Sequence, residues 1–334
     1  LALPHYSSWR DDVDAATTGL LNEATDIFRP VTEADQNLIS VSVFDMAAND
    51  PGPVSSTSVP TAYSTTVYAS TDSLYLTNPD WGMSRDGEEA SSILKFDIVD
   101  DGDRVDLVAK GQVPGRLLNS FSMDEYSDSQ GTESLRIATT SGWGEGTDNR
   151  VYILQQADTE LEMLGRTPKL APGEQIFSVR FAGLTGYVVT FRQTDPLFTI
   201  DLSVPGAPQV MGELHITGFS NYLQPVNDDF LIGLGRDADP NTGRAQELQI
   251  SLFDVSDLSN PALADRYSFN VPDWAWTEAI SDHHAVGYYP EYQVLAIPVS
   301  NDGWVTVDRD GDGRADFERY RPRTDLYVFQ LDLS

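Results

Sequence analysis

The chain has 334 residues and carries 52 acidic against 21 basic side chains, which gives a formal net charge of −31 at pH 7. A surface this negative repels phosphate backbones, so the composition argues against a nucleic-acid-binding protein. No apolar run reaches the roughly 18 residues that a membrane-spanning helix needs, so we expect no membrane span. The chain has no cysteine, which excludes disulfides, thiol catalysis and cysteine-ligated metals.

The acid-rich, lysine-poor composition favours a secreted or cell-surface protein. Lys95, Lys110 and Lys169 are the only lysines in the sequence. Such a composition suits a salty medium, in which screening weakens the repulsion between like charges. An acidic surface that binds calcium would explain it equally well, and both interpretations point outside the cell.

The first predicted element is a helix within an N-terminal segment, residues 1–37. Ser8 could cap this helix, and apolar side chains from Val13 to Phe28 could share one face. Over residues 38–334 the pattern changes to short segments rich in Val, Ile, Tyr, Phe and Thr, separated by Gly, Pro, Asp and Asn. These segments recur every roughly 45 to 60 residues, which is the period of propeller blades. We therefore predict an all-β fold, a β-propeller of four-stranded antiparallel blades over 38–334.

A strand that ends in a hydrophobic–Asp pair marks the third strand of the predicted blades. Examples are "SILKFDIV" (92–99), "LFTIDLS" (197–203) and "ISLFDVSD" (250–257). Four complete blades are predicted between about 63 and 269, with a strand pair before them and three strands after them, so about six blades are represented. Propellers hide their sheet edges by closing the ring. To close the ring here, the strands missing from the first blade must come from the N-terminal segment or from sequence upstream of this chain, and we favour upstream sequence. The alternative is that the open sheet edge pairs with another copy of the chain.

Four stretches stand out, in this order along the chain: "APGEQIFSVRFAG" (171–183), "GYVVTFRQTDPLFTIDLS" (186–203), "GELHITGFSNYLQP" (212–225) and "DHHAVGYYP" (282–290). With others over residues 38–300, they resemble the secreted β-propeller domain proteins of bacteria and archaea, which are predicted to be distant relatives of WD-repeat propellers. Gln224 stands where the pattern has His, and Val286 stands where it has Phe. The resemblance implies a propeller fold and an exported location, and it implies no reaction.

One acidic motif predicts a calcium site in an insertion at about 301–322. In the run from Asp308 to Glu318, oxygen ligands at positions 1, 3, 5 and 9, with glycine at position 6, follow an EF-hand-type loop. Position 12 is an arginine and the glutamate comes one residue early, so a bidentate glutamate ligand is in question. Ca²⁺ is the one cofactor that we predict, and an acidic turn is the alternative. The predicted ligands are Asp308, Asp310, Asp312, Arg314 (through its carbonyl), Asp316 and Glu318.

Most tryptophans fall in loops that blade geometry assigns to one face. The loops between second and third strands, and those between blades, emerge on the same side of a propeller. Exposed tryptophans beside polar groups are typical of a recognition surface for a protein or a glycan, whereas buried ones would fill loop bases as hydrophobic pins. The predicted ligand-binding face contains Trp81, Trp143, Trp274, Trp276, Trp304, Arg192, Arg236 and Asp237.

A second candidate site consists of Asp282, His283 and His284, at the start of a predicted first strand. Strand alternation would direct one histidine towards the channel. A His–carboxylate pair could bind a transition metal or act as an acid–base group, and structural histidines are the alternative. We predict a non-enzymatic, calcium-binding surface or extracellular protein. The alternative is an extracellular hydrolase or lyase acting on a polymer with a site at the propeller channel.

Overall fold

The computed structural model describes residues 3–10, 13–27, 37–45, 47, 52–61, 66–80, 89–192, 195–239, 242, 244–272, 274–307, 309 and 317–333. These residues form β-strands and short 3-10 turns, and they include no α-helix. The described part therefore also has no helix that is long and apolar enough to cross a membrane. The chain divides into two compact units, Leu1–Gly142 with Arg150–Arg166 and Trp143–Asn149 with Thr167–Ser334.

The first unit contains two hairpins and an eight-stranded sheet. The sheet order is β5-β6-β7-β8-β12-β11-β10-β9, so two antiparallel four-stranded sheets join through a parallel contact of β12 with β8. The hairpins are β1 (His5–Arg10) with β2 (Val13–Leu20) and β3 (Asn37–Phe44) with β4 (Pro53–Thr61). The sheet contains β5 (Thr66–Ala69), β6 (Ser73–Asp80), β7 (Ala90–Val99), β8 (Arg104–Pro114), β9 (Met123–Ser127), β10 (Glu133–Ser141), β11 (Asp148–Ala157) and β12 (Glu160–Arg166).

The second unit contains two complete four-stranded antiparallel sheets, in the orders β13-β14-β15-β16 and β17-β18-β19-β20. A three-stranded sheet of order β21-β22-β25 follows, and the hairpin β23–β24 is inserted between its last two strands. The strands are β13 (Gln175–Ala182), β14 (Thr185–Phe191), β15 (Asp195–Asp201), β16 (Gln209–Ile216), β17 (Phe219–Pro225), β18 (Phe230–Ala238), β19 (Ala245–Asp254), β20 (Ala262–Ser268), β21 (Gly287–Tyr289), β22 (Val294–Ser300), β23 (Gly303–Val307), β24 (Phe317–Arg321) and β25 (Thr324–Gln330).

Short 3-10 turns connect these strands. They span Ala24–Asp26, Asp100–Gly102, Ser120–Ser122, Gly144–Gly146, Glu278–Ile280, His283–Ala285 and Pro290–Tyr292.

The predicted N-terminal helix is wrong. The segment forms the hairpin β1–β2, in which Ser7 pairs with Thr18 and Ser8 pairs with Thr17, and its helical part is the single turn Ala24–Asp26. The physical reason is local, because β-branched side chains such as Val13, Thr17 and Thr18 favour an extended backbone.

Each unit has its own apolar core between sheets. In the first unit, Ile93 on β7 and Ile137 on β10 are completely buried in one cluster. In the second unit, Leu231 on β18 and Phe253 on β19 are completely buried, and they pack with Leu197 on β15. Alternation along the strands explains the core, since every second side chain reaches the same face of a sheet.

Candidate functional site

Three tryptophans and one tyrosine form the most exposed aromatic group around the inserted hairpin. The exposed fractions are 66% for Trp274, 43% for Trp276, 68% for Trp304 and 48% for Tyr320. We call these four residues the aromatic surface. Trp81, which the sequence also predicted for the face, lies outside the described residues. At this exposure none of the four rings is a buried hydrophobic pin.

Backbone contacts hold the segment that carries Trp274 and Trp276. Trp276 and Ser300 exchange two backbone hydrogen bonds, with N–O distances of 3.0 and 2.8 Å. Between the two tryptophans, Ala275 is completely buried, and its carbonyl accepts a hydrogen bond from the guanidinium of Arg236 on β18. The same guanidinium donates to the carbonyl of Gln246 at 2.9 Å. Arg236, a predicted site residue, therefore holds the backbone between Trp274 and Trp276 in place.

Asp302 connects that segment to the hairpin. Its carbonyl accepts a hydrogen bond from the Trp274 indole at 3.0 Å, and its carboxylate accepts from the Tyr320 hydroxyl at 3.2 Å and from the Arg323 backbone at 2.7 Å. Trp304 pairs with Tyr320 across the strands, with ring centroids 5.7 Å apart. Desolvation and the hydrogen bond to Asp302 raise the pKa of Tyr320. The rings are thus fixed on a hydrogen-bonded frame while a large part of their area stays in solvent.

Trp143 and Arg192 belong to a different loop. Trp143 is 66% exposed and precedes the turn Gly144–Gly146, in which Glu145 pairs with Arg192 at the end of β14. The ion-pair distance is 2.7 Å, and both partners are exposed, so the pair contributes little to stability.

Asp237 lies at the irregularity in the pairing of β18 with β19, between Arg236 and Ala238. Its Oδ1 atom is buried and has no hydrogen-bond partner among the described residues.

Asp282, His283 and His284 do come together, but not on a strand. Asp282 caps the turn His283–Ala285, and the first strand β21 begins only at Gly287. The predicted strand at His283 is therefore wrong, because the capping aspartate starts a turn there. All three side chains are exposed. Hydrogen bonds from the backbone and ring of His284 lower the pKa of Asp282. Desolvation and the neighbouring His284 lower the pKa of His283.

The predicted calcium loop lies at the tip of the hairpin. β23 ends at Val307 and pairs there with Phe317, the first residue of β24, so the motif connects the two strands. Glu318 lies on β24 opposite Thr306. The ligand set stays a prediction because the other five predicted ligands, Asp308, Asp310, Asp312, Arg314 and Asp316, are outside the described residues.

Sequence reasoning missed a buried charge network in the first unit. Lys95 on β7 is 4% exposed, and its ammonium lies 3.0 Å from Glu133, 3.4 Å from Asp97 and 3.7 Å from Glu125. Burial lowers the pKa of Lys95, but the hydrogen bond to Glu133 and the other carboxylates outweigh burial and raise it. Glu125 also accepts a hydrogen bond from the Tyr75 hydroxyl at 2.6 Å. Desolvation is the main cause that raises the pKa of Tyr75, and this hydrogen bond raises it further. These partners satisfy the buried charges, which favours a structural role.

Four-stranded antiparallel sheets that succeed one another along the chain are typical of the β-propeller class of proteins. The chain matches the family model described as "Beta propeller domain" over residues 2–334, and it belongs to that family.

Two archaeal proteins are similar in sequence. An uncharacterized protein of Methanocaldococcus jannaschii is 42% identical over 201 residues, which are 59% of this chain and 30% of that protein. An uncharacterized protein of Archaeoglobus fulgidus is 37% identical over 223 residues, which are 67% of this chain and 32% of that protein. The chain thus spans about a third of the length of these curated relatives.

Two of the solved structures that match this chain are remote in sequence. One is a periplasmic gluconolactonase of Pseudomonas aeruginosa, with 13% identity, a TM-score of 0.35, and coverage of 86% of this chain and 94% of that one. Another is a functionally unknown protein of Desulfotomaculum acetoxidans, with 12% identity, a TM-score of 0.43, and coverage of 79% and 71%. At these scores neither structure carries an argument about activity.

Proposed function

We propose that this chain is an exported, non-enzymatic recognition domain that binds a neutral glycan on its aromatic surface. The observation that carries the proposal is the exposure of Trp274, Trp276, Trp304 and Tyr320 on a hydrogen-bonded frame. Rigid rings lose little conformational entropy when they bind, and their flat faces match the C–H faces of sugars. The export proposal rests on the acidic, lysine-poor composition and on the family resemblance.

The charge of the chain narrows the class of glycan. With a net charge of −31, the domain repels acidic polysaccharides at low ionic strength. Asp302 directs both carboxylate oxygens into hydrogen bonds within the site, which leaves the rings as the main contact area. Neutral polymers therefore fit the surface better than anionic ones.

Titration calorimetry and intrinsic fluorescence against a panel of neutral and acidic polysaccharides would test this proposal. Trp304→Ala should weaken binding of a neutral polymer about tenfold, which corresponds to about 1.4 kcal/mol. The matched control is Trp9→Ala, because Trp9 is 75% exposed but lies on β1 in the other unit. Equal effects of the two substitutions, or binding that Trp304→Ala leaves unchanged, would contradict the proposal.

We further propose that Ca²⁺ binds the loop from Asp308 to Glu318 and stabilises the hairpin that carries Trp304 and Tyr320. The support is the ligand spacing and the position of the loop between β23 and β24. Thermal melts in calcium and in EDTA should differ, and Asp312→Asn should reduce that difference, whereas Asp228→Asn in an exposed turn should not. An absence of heat on adding calcium to metal-free protein would refute the site.

A second candidate function is contact with another protein segment, because one face of the last sheet is apolar and exposed. Leu326 and Val328 on β25 are 66% and 61% exposed, beside the half-buried Ala296 and Pro298 on β22. We propose that a further blade, from residues outside this chain, covers this face, since propeller sheets stack face to face. Light scattering at several concentrations tests the rival occupant: a strict monomer supports the further blade, whereas a dimer that Leu326→Lys abolishes would make it a second copy.

A further inference from the structure

The turn that carries His283 and His284 is held firmly in place. The backbone N–H groups of Ser281 and Asp282 both donate to the carbonyl of Glu278, at 2.9 and 2.7 Å, and those of Ala285 and Val286 close the next turn. Upstream, Ala279 is completely buried and Thr277 donates its hydroxyl to the Pro298 carbonyl on β22. Two consecutive 3-10 turns are therefore anchored to the last sheet, which limits the positions that the histidine side chains can take.

The side chains of Asp282, His283 and His284 lie close together on this turn. Asp282 accepts hydrogen bonds from the His284 backbone and shares one with the His284 Nδ1 atom, each at 2.9 Å. The rings of His283 and His284 lie with centroids 3.9 Å apart at an angle of 37°. One ligand atom from each of the three residues lies within 4.8 Å of the others. Ligand atoms around a tetrahedral zinc ion are about 3.4 Å apart, given zinc–ligand distances of about 2.1 Å, so the observed spacing is close to that of a metal site.

The geometry points to a solvent-exposed site for a divalent transition-metal ion formed by Asp282, His283 and His284. Two imidazoles with one carboxylate suit Zn²⁺ or Cu²⁺, whereas Ca²⁺ requires six to eight oxygen ligands. Because all three side chains are exposed, water fills the remaining coordination positions and the ion exchanges with solvent. The site is independent of the calcium loop and of the aromatic surface, since it uses a different ligand chemistry and different residues.

A second exposed histidine–carboxylate pair in the same unit provides the comparison. His215 and Glu213 on β16 lie 2.9 Å apart, at the same distance as His284 and Asp282, and both are exposed. The pair lacks the neighbouring imidazole, so it offers one nitrogen ligand instead of two. His215→Gln is therefore a matched control for His283→Gln and His284→Gln.

Calorimetric titration of the tag-free, calcium-saturated protein with Zn²⁺ and with Cu²⁺ tests the site. We expect one ion per chain, at least about a tenfold loss of affinity in His283→Gln and in His284→Gln, and wild-type affinity in His215→Gln. Unchanged affinity in both histidine variants, or an equal loss in the control, would overturn the proposal.

Electron paramagnetic resonance of Cu²⁺ bound to the wild-type protein needs no variant and so does not depend on the folding of one. Coupling to two imidazole nitrogens supports the site, and coupling to one or none overturns it. Glycan binding is measured separately through the tryptophans, so failure of the metal site and failure of the proposed recognition function are distinguishable.

Discussion

The third strand is covered on both faces in the complete sheet β17–β20 but on only one face in the three-stranded sheet β21–β22–β25. On β19, side chains on both faces are buried, as Leu248, Gln249 and Phe253 show. On β25, Phe329 packs against Tyr267 of β20 and Tyr327 packs against Phe269, which follows that strand. Leu326 and Val328, on the other face of β25, are exposed. The same type of strand is thus covered on two sides in one sheet and on one side in the other. An apolar face can serve as core or as interface, and its neighbours decide which.

The largest expected effect comes from removing the same side chain in both sheets. Leu231→Ala on β18 should destabilise the protein by about 2–5 kcal/mol, because Leu231 is completely buried and its loss leaves a cavity. Leu326→Ala on β25 should change stability by less than about 0.5 kcal/mol, because that side chain is 66% exposed. Urea unfolding followed by circular dichroism would measure both. A large loss in Leu326→Ala would show that something already covers this face in solution.

A smaller effect is expected from adding one methyl group to a glycine in each region. A Cβ atom on Gly235 of β18 would lie 1.8 Å from the carbonyl oxygen of Phe219, so Gly235→Ala must displace backbone and should cost about 1–3 kcal/mol. A Cβ atom on Gly303, at the start of the inserted hairpin, would have the Trp274 indole nitrogen as its nearest neighbour, at 3.9 Å. Gly303→Ala should therefore melt close to the wild-type temperature. Equal melting temperatures for the two variants would contradict the close packing of β17 on β18.

The smallest expected effects are pH-dependent changes in melting temperature. They have opposite signs for substitutions at two carboxylates beside the complete sheets. Desolvation raises the pKa of Glu174, although Thr190 donates to it, so its ionised form opposes folding at neutral pH. Glu174→Gln should raise the melting temperature near neutral pH, and the gain should vanish as the pH falls below the folded-state pKa. Hydrogen bonds from Ser256 lower the pKa of Asp254. Asp254→Asn should therefore lower the melting temperature at neutral pH, and this loss should disappear as the pH falls through the folded-state pKa.

Melting curves of both variants at several pH values would measure these changes. Shifts of the same sign in Glu174→Gln and Asp254→Asn would contradict the assigned causes.

Strand pattern was predictable from the sequence because alternation and turn residues are local signals. The segments predicted as third strands, 92–99, 197–203 and 250–257, overlap β7, β15 and β19. The N-terminal helix failed because a few apolar residues fit a helical face by chance, while β-branched residues on the same segment favoured the hairpin. The strand at His283 failed for a similar reason, since Asp282 is also a good cap.

The candidate sites could be predicted only in part, because loop positions can be inferred from the sequence but contacts between strands cannot. Trp274, Trp276 and Trp304 were found because blade geometry places their loops, and a loop position permits exposure. Tyr320 was missed because only the register of β23 with β24 brings it to Trp304. The network around Lys95 was missed because its members come from β7, β9 and β10, and no spacing in the sequence indicates that these side chains converge.

The inserted hairpin enters and leaves the last sheet at a single point. Ser300 is paired with Thr324, and the backbone N–H of Asn301 donates to the carbonyl of Arg323 at 2.8 Å, so the two ends of residues 301–323 meet. A segment whose ends already meet can be exchanged for another without changing the register of the strands that carry it. Residues 301–323 could therefore be replaced by a segment of another length or sequence while the scaffold that carries them stays unchanged.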